Sequence, residues 1–254
     1  MKIAIVIPAY NCAPQIARVL SEVDALLPSL PNVKNVFVIE NQSTDNTLDQ
    51  SILITKKLKN RQYFEIFQNL ANYGLGGTHK VGLRLCKSRE MTHMLVLHGD
   101  HQASPSDIPM LLASLLETPD ASILGSRFAN LNKLSGYSPV RTAGNLALNF
   151  LYSIVTGKKI SDLGSGLNIL NVNALDEKIY QKFDNGFTFN MDLLLHLVRA
   201  GIPFEYVPIH WSTVDQISNA RSFAVGLKTL KKLFNWFRKF ETTDLSHFET
   251  IKIY

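Results

Sequence analysis

Hydrophobic residues along this chain fall into two rhythms. Short unbroken apolar runs at residues 3–7, 33–39, 63–67, 93–97 and 121–124 end in polar or turn-forming residues, the pattern of strands covered on both faces. Segments with helical spacing lie between them, and their starts are marked. Asn11 precedes Ala13-Pro14, Ser43 or Thr44 precedes Asn46-Thr47-Leu48, and Ser104 precedes Pro105-Ser106-Asp107. The first half therefore predicts an α/β fold with a mainly parallel sheet flanked by helices. Past Gly125-Ser126-Arg127-Phe128 the order changes to a long helix over 140–156, a glycine-broken segment at 162–166, a helix near 190–200 and a strand near 204–207. No internal repeat, low-complexity tract or linker is visible.

Composition narrows the class. A chain of 254 residues, 46% hydrophobic and 19% charged, can bury one substantial core. Residues 1–8 hold too short an apolar run, and no cleavage-site pattern, for a signal peptide, so they read as a first strand. No stretch approaches the roughly 18 apolar residues of a membrane span. Cys12 and Cys86 are too few for a disulfide framework and lack metal-site spacing, which points to a reducing cytoplasm. The net charge of +5 and pI of 9.1 suit anionic partners such as phosphates, nucleic acid or acidic lipid headgroups.

Polar residues gather where the strands end. His98-Gly99-Asp100-His101-Gln102 follows Met94-Leu95-Val96-Leu97. A carboxylate there either holds a divalent cation against a diphosphate or caps and braces a loop. After the first strand, Pro8-Ala9-Tyr10-Asn11 stands where a dinucleotide-binding fold has G-x-G-x-x-G, which argues against a nicotinamide enzyme. After the second, Glu40-Asn41-Gln42-Ser43-Thr44-Asp45-Asn46-Thr47 either hydrogen-bonds a base and ribose or caps a helix. After the third, Asn72-Tyr73-Gly74-Leu75-Gly76-Gly77-Thr78-His79-Lys80 offers amides, glycines for close backbone approach and a cation at a helix start. Such ends on one sheet edge together point to a nucleotide site.

In these motifs the chain resembles the family 2 glycosyltransferases of the GT-A fold. The likeness is to the branch that includes dolichol-phosphate mannosyltransferases and bacterial polysaccharide or polyprenol-phosphate sugar transferases. It spans residues 1–220 and is carried by Ile5-Val6-Ile7-Pro8-Ala9-Tyr10-Asn11, Ser43-Thr44-Asp45-Asn46-Thr47, Asn72-x-Gly74, Asp100-x-Gln102 with Pro105-x-Asp107-Ile108-Pro109, Gly125-Ser126-Arg127-Phe128, Asp162-x-x-x-Gly166, and Gly201 leading to Val207-Pro208.

The resemblance implies a GT-A-like domain over 1–222, with a nucleotide-sugar-binding half at 1–128 and an acceptor-side half at 129–222, followed by an amphipathic helix and tail at 223–254. It places Pro8, Ala9, Tyr10, Asn11, Glu40 and Asn41 around the base and ribose, with Asn72, Gly76, Lys80, His98, Gly99 and Arg127 also on the donor. Asp100 faces the diphosphate. In the family a D-x-D pair binds Mn2+ or Mg2+, and here its first acid is His98. His98 is therefore either a nitrogen ligand that favours manganese or a hydrogen-bonder of sugar or phosphate that does not touch metal. Gln102 matches a position that assists at metal or phosphate. Arg127 matches the family's G-S-R arginine, a bidentate phosphate grip or else a surface ion pair. Arg141 is a weaker candidate of that kind. The branch carries an R-x-x-G-x-S-K loop after the Val-Pro turn, where this chain has Val214-Asp215-Gln216-Ile217-Ser218-Asn219-Ala220-Arg221, and the resemblance implies that Arg221 replaces the displaced cation on a loop that closes over the diphosphate. Asp192, in Phe187-Thr188-Phe189-Asn190-Met191-Asp192, is the candidate base for a hydroxyl acceptor, against the plainer reading of a first-turn acid favoured by the helix dipole. A lipid-phosphate acceptor is already ionised and needs no base. Asp162 and Gly166 belong to the acceptor side, and inversion by single displacement is implied.

The C-terminal segment adds Phe223, Leu227, Leu230, Phe234 and Phe237 at helical spacing, with Lys228, Lys231, Lys232, Arg238 and Lys239 between them. Such a helix over 223–240 either lies on an anionic membrane, on the inner face of which a cytoplasmic enzyme would meet a polyprenol-phosphate, lipid-linked or saccharide acceptor, or packs its stripe on the domain or on a second subunit. Two other classes stand behind the enzyme reading. One is a non-catalytic sugar-nucleotide-binding relative, suggested by His98 and Asn41 where acids are usual. The other is a basic nucleic-acid-binding protein, for which the only basic-aromatic cluster is this helix.

Overall fold

The computed structural model describes residues 1–213, 222–237 and 248–254. In chain order its elements are β1 (Ile3–Ala9), α1 (Ala13–Leu26), β2 (Val33–Glu40), α2 (Thr47–Thr55), β3 (Phe64–Asn69), α3 (Gly74–Ser88), β4 (His93–Leu97), α4 (Ile108–Glu117), β5 (Ser122–Ser126), β6 (Leu134–Ser135), α5 (Pro139–Thr156), β7 (Leu167–Asn171), α6 (Glu177–Tyr180), α7 (Phe189–Ala200), β8 (Phe204–Pro208), β9 (Trp211–Ser212), α8 (Ser222–Phe234) and β10 (Thr250–Lys252).

Strand periodicity sorts the core into two layers. Along β1, Ile3, Ile5 and Ile7 face a cluster with Ile16, Val19 and Leu20 of α1, while Ala4 and Val6 face the other side with Val81 of α3 and Phe189 of α7. The strand is apolar throughout because both faces are covered. In β2 the same alternation sends Val36 and Val38 to the first cluster and Phe37 and Ile39 to the second.

The described residues form an eight-stranded sheet in the order β10-β3-β2-β1-β4-β7-β5-β8 and a two-stranded β6-β9 pair. Strands β3, β2, β1 and β4 are parallel. The chain builds β1, β2 and β3 outward in one direction and then returns to place β4 on the other side of β1. In open α/β sheets such a reversal leaves a ligand-binding crevice at the strands' carboxyl ends, which here are those of β1 and β4. Helices α5 and α7 both end on a left-handed glycine, Gly157 and Gly201, each at φ 66°, a conformation that spares the Cβ clash.

Three features depart from the sequence reading. Strand β7 was not expected, yet it lies antiparallel between β4 and β5. Its Asn168 and Asn171 disguise it: both are buried, and their side chains staple the neighbouring loops. Asn168 Oδ1 accepts from Gly125 N at 3.1 Å, and Asn171 Nδ2 donates to the Asp120 carbonyl at 3.1 Å. Second, Asn11 does not cap α1. It adopts φ 48° and turns its side chain toward the second loop. Third, the segment set apart at 223–254 rejoins the domain, because β10 pairs antiparallel with β3 and α8 packs beside α5 and α7.

Candidate active site

The first two loops at the crevice bind each other. Asn11 Oδ1 accepts from Thr44 N at 2.8 Å, Ser43 Oγ accepts from Asn11 N at 3.1 Å, and Asp45 Oδ2 accepts from Ala13 N at 3.1 Å. Glu40 is buried, its carboxylate accepting from Ser43 N, Gln42 N and Gln68 Nε2. Pro8 and Ala9 act through their carbonyls, which accept from Gly99 N and Asn41 N, each at 2.9 Å. Tyr10 is exposed at the end of β1.

The third loop is a network of amides. Asn41 Oδ1 accepts from Asn69 Nδ2 at 2.8 Å and from Tyr73 N at 3.0 Å, and Asn41 Nδ2 donates to Asn72 Oδ1 at 2.9 Å. Asn41 and Asn72 therefore hold β2, β3 and the start of α3 in register. Gly76 and Lys80 do not open toward a donor, which corrects the sequence reading. A Cβ on Gly76 would meet the Asp184 carbonyl at 2.1 Å, so this glycine admits the lead-in to α7. Lys80 is buried, and its Nζ donates to the carbonyls of Gln181 and Phe183 and to Asn185 Oδ1.

The fourth loop carries the open chemistry. Gly99 sits tight over the start of α1, where a Cβ would meet Ile16, Cys12 and the Pro8 carbonyl at 3.0–3.2 Å. Its neighbour Asp100 accepts Gln102 N–H on Oδ1 at 3.1 Å, and among the described residues its second oxygen has no hydrogen-bond partner. His101 turns away, pairing with Glu22 at 2.9 Å. The His98 ring faces inward, 5.6 Å from the His79 ring, and its Nε2 is buried without a partner. A Cβ at Gly166 would lie 2.7 Å from His98 Nδ1, so that glycine makes room for the imidazole. Burial pushes both histidines below their usual pKa, which disfavours the charged imidazole at His98, where an acid was expected.

The G-S-R turn and the start of α7 are held by buried ion pairs. Arg127 Nε and Nη2 form a two-pronged pair with Asp162 at 2.8 and 2.7 Å, Nη2 also reaches the Gly164 carbonyl, and the guanidinium lies over Phe128 and Trp211. The expected phosphate grip is therefore already occupied by a carboxylate, and Asp162 joins the G-S-R turn to its own glycine loop. Asp192 is likewise engaged. Its Oδ2 accepts from Lys232 Nζ at 2.6 Å and from Asp184 N at 2.7 Å, and burial raises its pKa. Its charge is therefore balanced by Lys232, while its Oδ1 has no hydrogen-bond partner among the described residues. Arg221, like Arg238 and Lys239, lies outside the described residues.

Sequence reasoning passed over residues that support the fourth loop. His79 backs His98 and meets Phe189 edge-on, although it stands inside a motif already singled out. Buried Asp107 takes His210 N–H at 2.6 Å and His210 Nδ1 at 2.8 Å, and Ser212 N donates to the Gln102 carbonyl at 2.9 Å. These contacts dock the end of β8 on the loop that follows Asp100. Their only sequence signal was Asp107 in Pro105-x-Asp107 and His210 after Val207-Pro208.

The donors suit a divalent cation shared with a ligand. Among the described residues no cluster of three His, Cys, Asp or Glu side chains could hold an ion alone. One open carboxylate oxygen, supplemented by phosphate oxygens and water, is the donor set that Mg2+ or Mn2+ accepts beside a diphosphate. Asp100 would hold that ion, with Gln102 adjacent.

Comparison with known proteins agrees with this geometry. The family description Glycosyl transferase family 2 matches residues 4–178. Dolichyl-phosphate beta-glucosyltransferase of Saccharomyces cerevisiae is 24% identical over 228 residues, covering 84% of this chain and 67% of that protein. UDP-N-acetylglucosamine–dolichyl-phosphate N-acetylglucosaminyltransferase of Methanococcus voltae is 24% identical over 186 residues, 68% of this chain and 70% of its own. Glucosyl-3-phosphoglycerate synthase from Mycobacterium tuberculosis, solved with Mn2+, UDP and phosphoglyceric acid, superposes with a TM-score of 0.63 at 14% identity, covering 91% of this chain and 78% of that one. The superposition establishes the shared GT-A fold.

Proposed function

The chain belongs to glycosyl transferase family 2, a nucleotide-sugar-dependent glycosyltransferase, and on that premise we propose that it moves a sugar from a nucleoside diphosphate to a polyprenol phosphate with inversion. The observation that carries the reading is the open oxygen of Asp100 at the carboxyl end of β4, beside the β1 and β4 crevice. A nucleoside diphosphate bound across that crevice brings its leaving group to this charge. A divalent ion held by Asp100 would supply positive charge to the departing diphosphate.

The acceptor follows from which acids are available. A phosphate monoester is mostly dianionic at neutral pH, its second pKa being about 6. Its oxygen forms the new bond to the anomeric carbon as the bond from that carbon to the diphosphate breaks, and no proton needs to move. This suits a site in which the charge of Asp192 is already paired with Lys232. The relatives from yeast and Methanococcus voltae are named for dolichyl-phosphate acceptors, which supports the same class.

Melting curves with UDP, GDP, CDP and dTDP, each with Mn2+, Mg2+ or chelator, test the donor site, because a ligand of the native state raises apparent stability. One nucleotide should stabilise the protein, and only with metal. The matching nucleotide sugar should then label polyprenyl phosphate and leave free polyprenol and oligosaccharide unlabelled. Labelling of a hydroxyl acceptor alone would overturn the phosphate reading, and no response to any nucleotide would overturn the donor site.

A further inference from the structure

Helix α5 turns an apolar stripe to solvent along its length. Val140 is 81% exposed, Phe150 65% and Ile154 63%, and Ala143, Gly144, Ala147 and Leu151 continue the stripe at helical spacing. No charged residue occurs between Arg141 and Lys158. Neighbouring α8 is fastened to it by Tyr152 Oη, which donates to the Thr229 carbonyl at 2.8 Å. The face of α8 that carries Thr229 and Leu233 is buried, whereas Leu227 and Phe234, from the apolar stripe of the C-terminal segment, stand 62% and 78% exposed. Exposed apolar surface of this extent marks an interaction site.

Charge selects the partner. No Asp or Glu occurs from residue 121 to 161 or from 216 to 240, the two segments that contain these helices. Lys158 and Lys159, which follow α5, share a cavity with Asp120 and Glu205, so the positive charge of this face rests on Lys228 and Lys231, which stand exposed on α8 with nothing acidic in its segment. Two copies meeting face to face through this surface would bring like charges together. An acidic lipid surface offers apolar depth to the stripe and opposite charge to the lysines. We infer that α5, flanked by the exposed side chains of α8, docks the protein in the plane of an anionic bilayer.

The placement of α5 gives docking a consequence. The helix lies between Arg127 and Asp162 in sequence, and those residues clasp each other at 2.7 Å on the acceptor side. An in-plane α5 therefore brings the acceptor side to headgroup level, where a lipid-linked phosphate would be found. That purpose rests on the acceptor reading above, whereas the surface itself does not.

The test is sedimentation of the full chain with phosphatidylcholine vesicles, either pure or containing about one-third phosphatidylglycerol, and with no polyprenyl phosphate present. The wild type should bind the anionic vesicles at least about tenfold more strongly than the neutral ones. Phe150→Ser with Ile154→Ser should lower that binding about tenfold, and Leu227→Ser with Phe234→Ser by about threefold, because apolar burial scales with the area inserted. Both variants should melt with the wild type, since the altered side chains are exposed. Undiminished binding of the α5 variant would overturn the inference. So would a fall of several degrees in its melting temperature, which would show the stripe packed on the chain itself, or a wild-type dimer that this variant converts to monomer. Nucleotide-dependent stabilisation of the same samples keeps failure of the membrane surface distinct from failure of the donor site.

Discussion

The loop after β4 and the junction of α7 with α8 each present one acid that the sequence marks for chemistry, and the fold treats them oppositely. Asp100 has no ion-pair partner among the described residues, and its Oδ1 accepts from the Gln102 backbone N–H. Asp192 is buried, with its Oδ2 filled by Lys232 and the Asp184 backbone. A carboxylate that is to hold a divalent ion beside a diphosphate needs charge not already balanced within the chain. A buried carboxylate is instead held by a counter-charge, since a buried unpaired charge is strongly destabilising. Partners therefore distinguish the two acids better than their positions at element ends do.

That contrast can be broken most directly at Asp100. Asp100→Asn should lower kcat for sugar transfer by about 10²–10³-fold while the melting temperature stays within about one degree, since volume is kept and only charge beside the leaving group is lost. Near-normal turnover would mean the open oxygen is not part of the site. Asp192→Asn should show the converse. It should lose about 2 kcal/mol of stability, roughly 4–8 °C, with turnover of the folded protein nearly unchanged. The loss falls below the roughly 3–5 kcal/mol of a fully buried pair because the Lys232 side chain keeps 21% of its surface in water. A collapse of kcat with an unchanged melting curve would restore Asp192 as the base.

Arg127→Lys sharpens the same comparison on the acceptor side. Losing the two-pronged pair and the aromatic stacking should cost about 1–2 kcal/mol of stability and change donor KM by less than about threefold. A large rise in KM without destabilisation would show that the guanidinium reaches the phosphate after all. The smallest effect concerns Lys80, whose ammonium burial pushes down from its usual 10.5 to about 8. Between those values the unfolded chain binds a proton that the folded chain does not. The contribution of Lys80 to stability should therefore grow as pH rises through that window and be lost as pH falls through 8. Melting curves of wild type and Lys80→Met should thus diverge in favour of the wild type from pH 8 to 10. A pH-independent difference would contradict the burial effect.

Much of the fold was legible in local pattern. The apolar runs of β1, β2 and β4 alternate between two clusters in the way their period demands, and the ends of α5 and α7 coincide with Gly157 and Gly201. Strand β7 escaped notice because Asn168 and Asn171 are polar yet buried, and only their distant partners in β5 and its approach make that tolerable. The candidate site was legible as a set of strand ends but not as a set of roles. Asn41, Glu40, Asp45 and Lys80 are the kinds of residue that bind nucleotides, and here each has hydrogen-bond partners within the chain.

Taken alone, the sequence determined the strands and helices whose apolar period is unbroken, that polar residues crowd the ends of the parallel strands, and that acids are missing around α5 and α8. Those properties are local: they depend on side-chain period, backbone preference and net charge, none of which needs to know what lies across the molecule. Tertiary structure alone decided that Asp100 stays open while Asp192 meets Lys232, that Arg127 closes on Asp162, and that the stripe of α5 faces outward. Each of those outcomes is set by which group from a distant part of the chain comes within a few ångströms, because a charge is silenced or left reactive by the partner it meets.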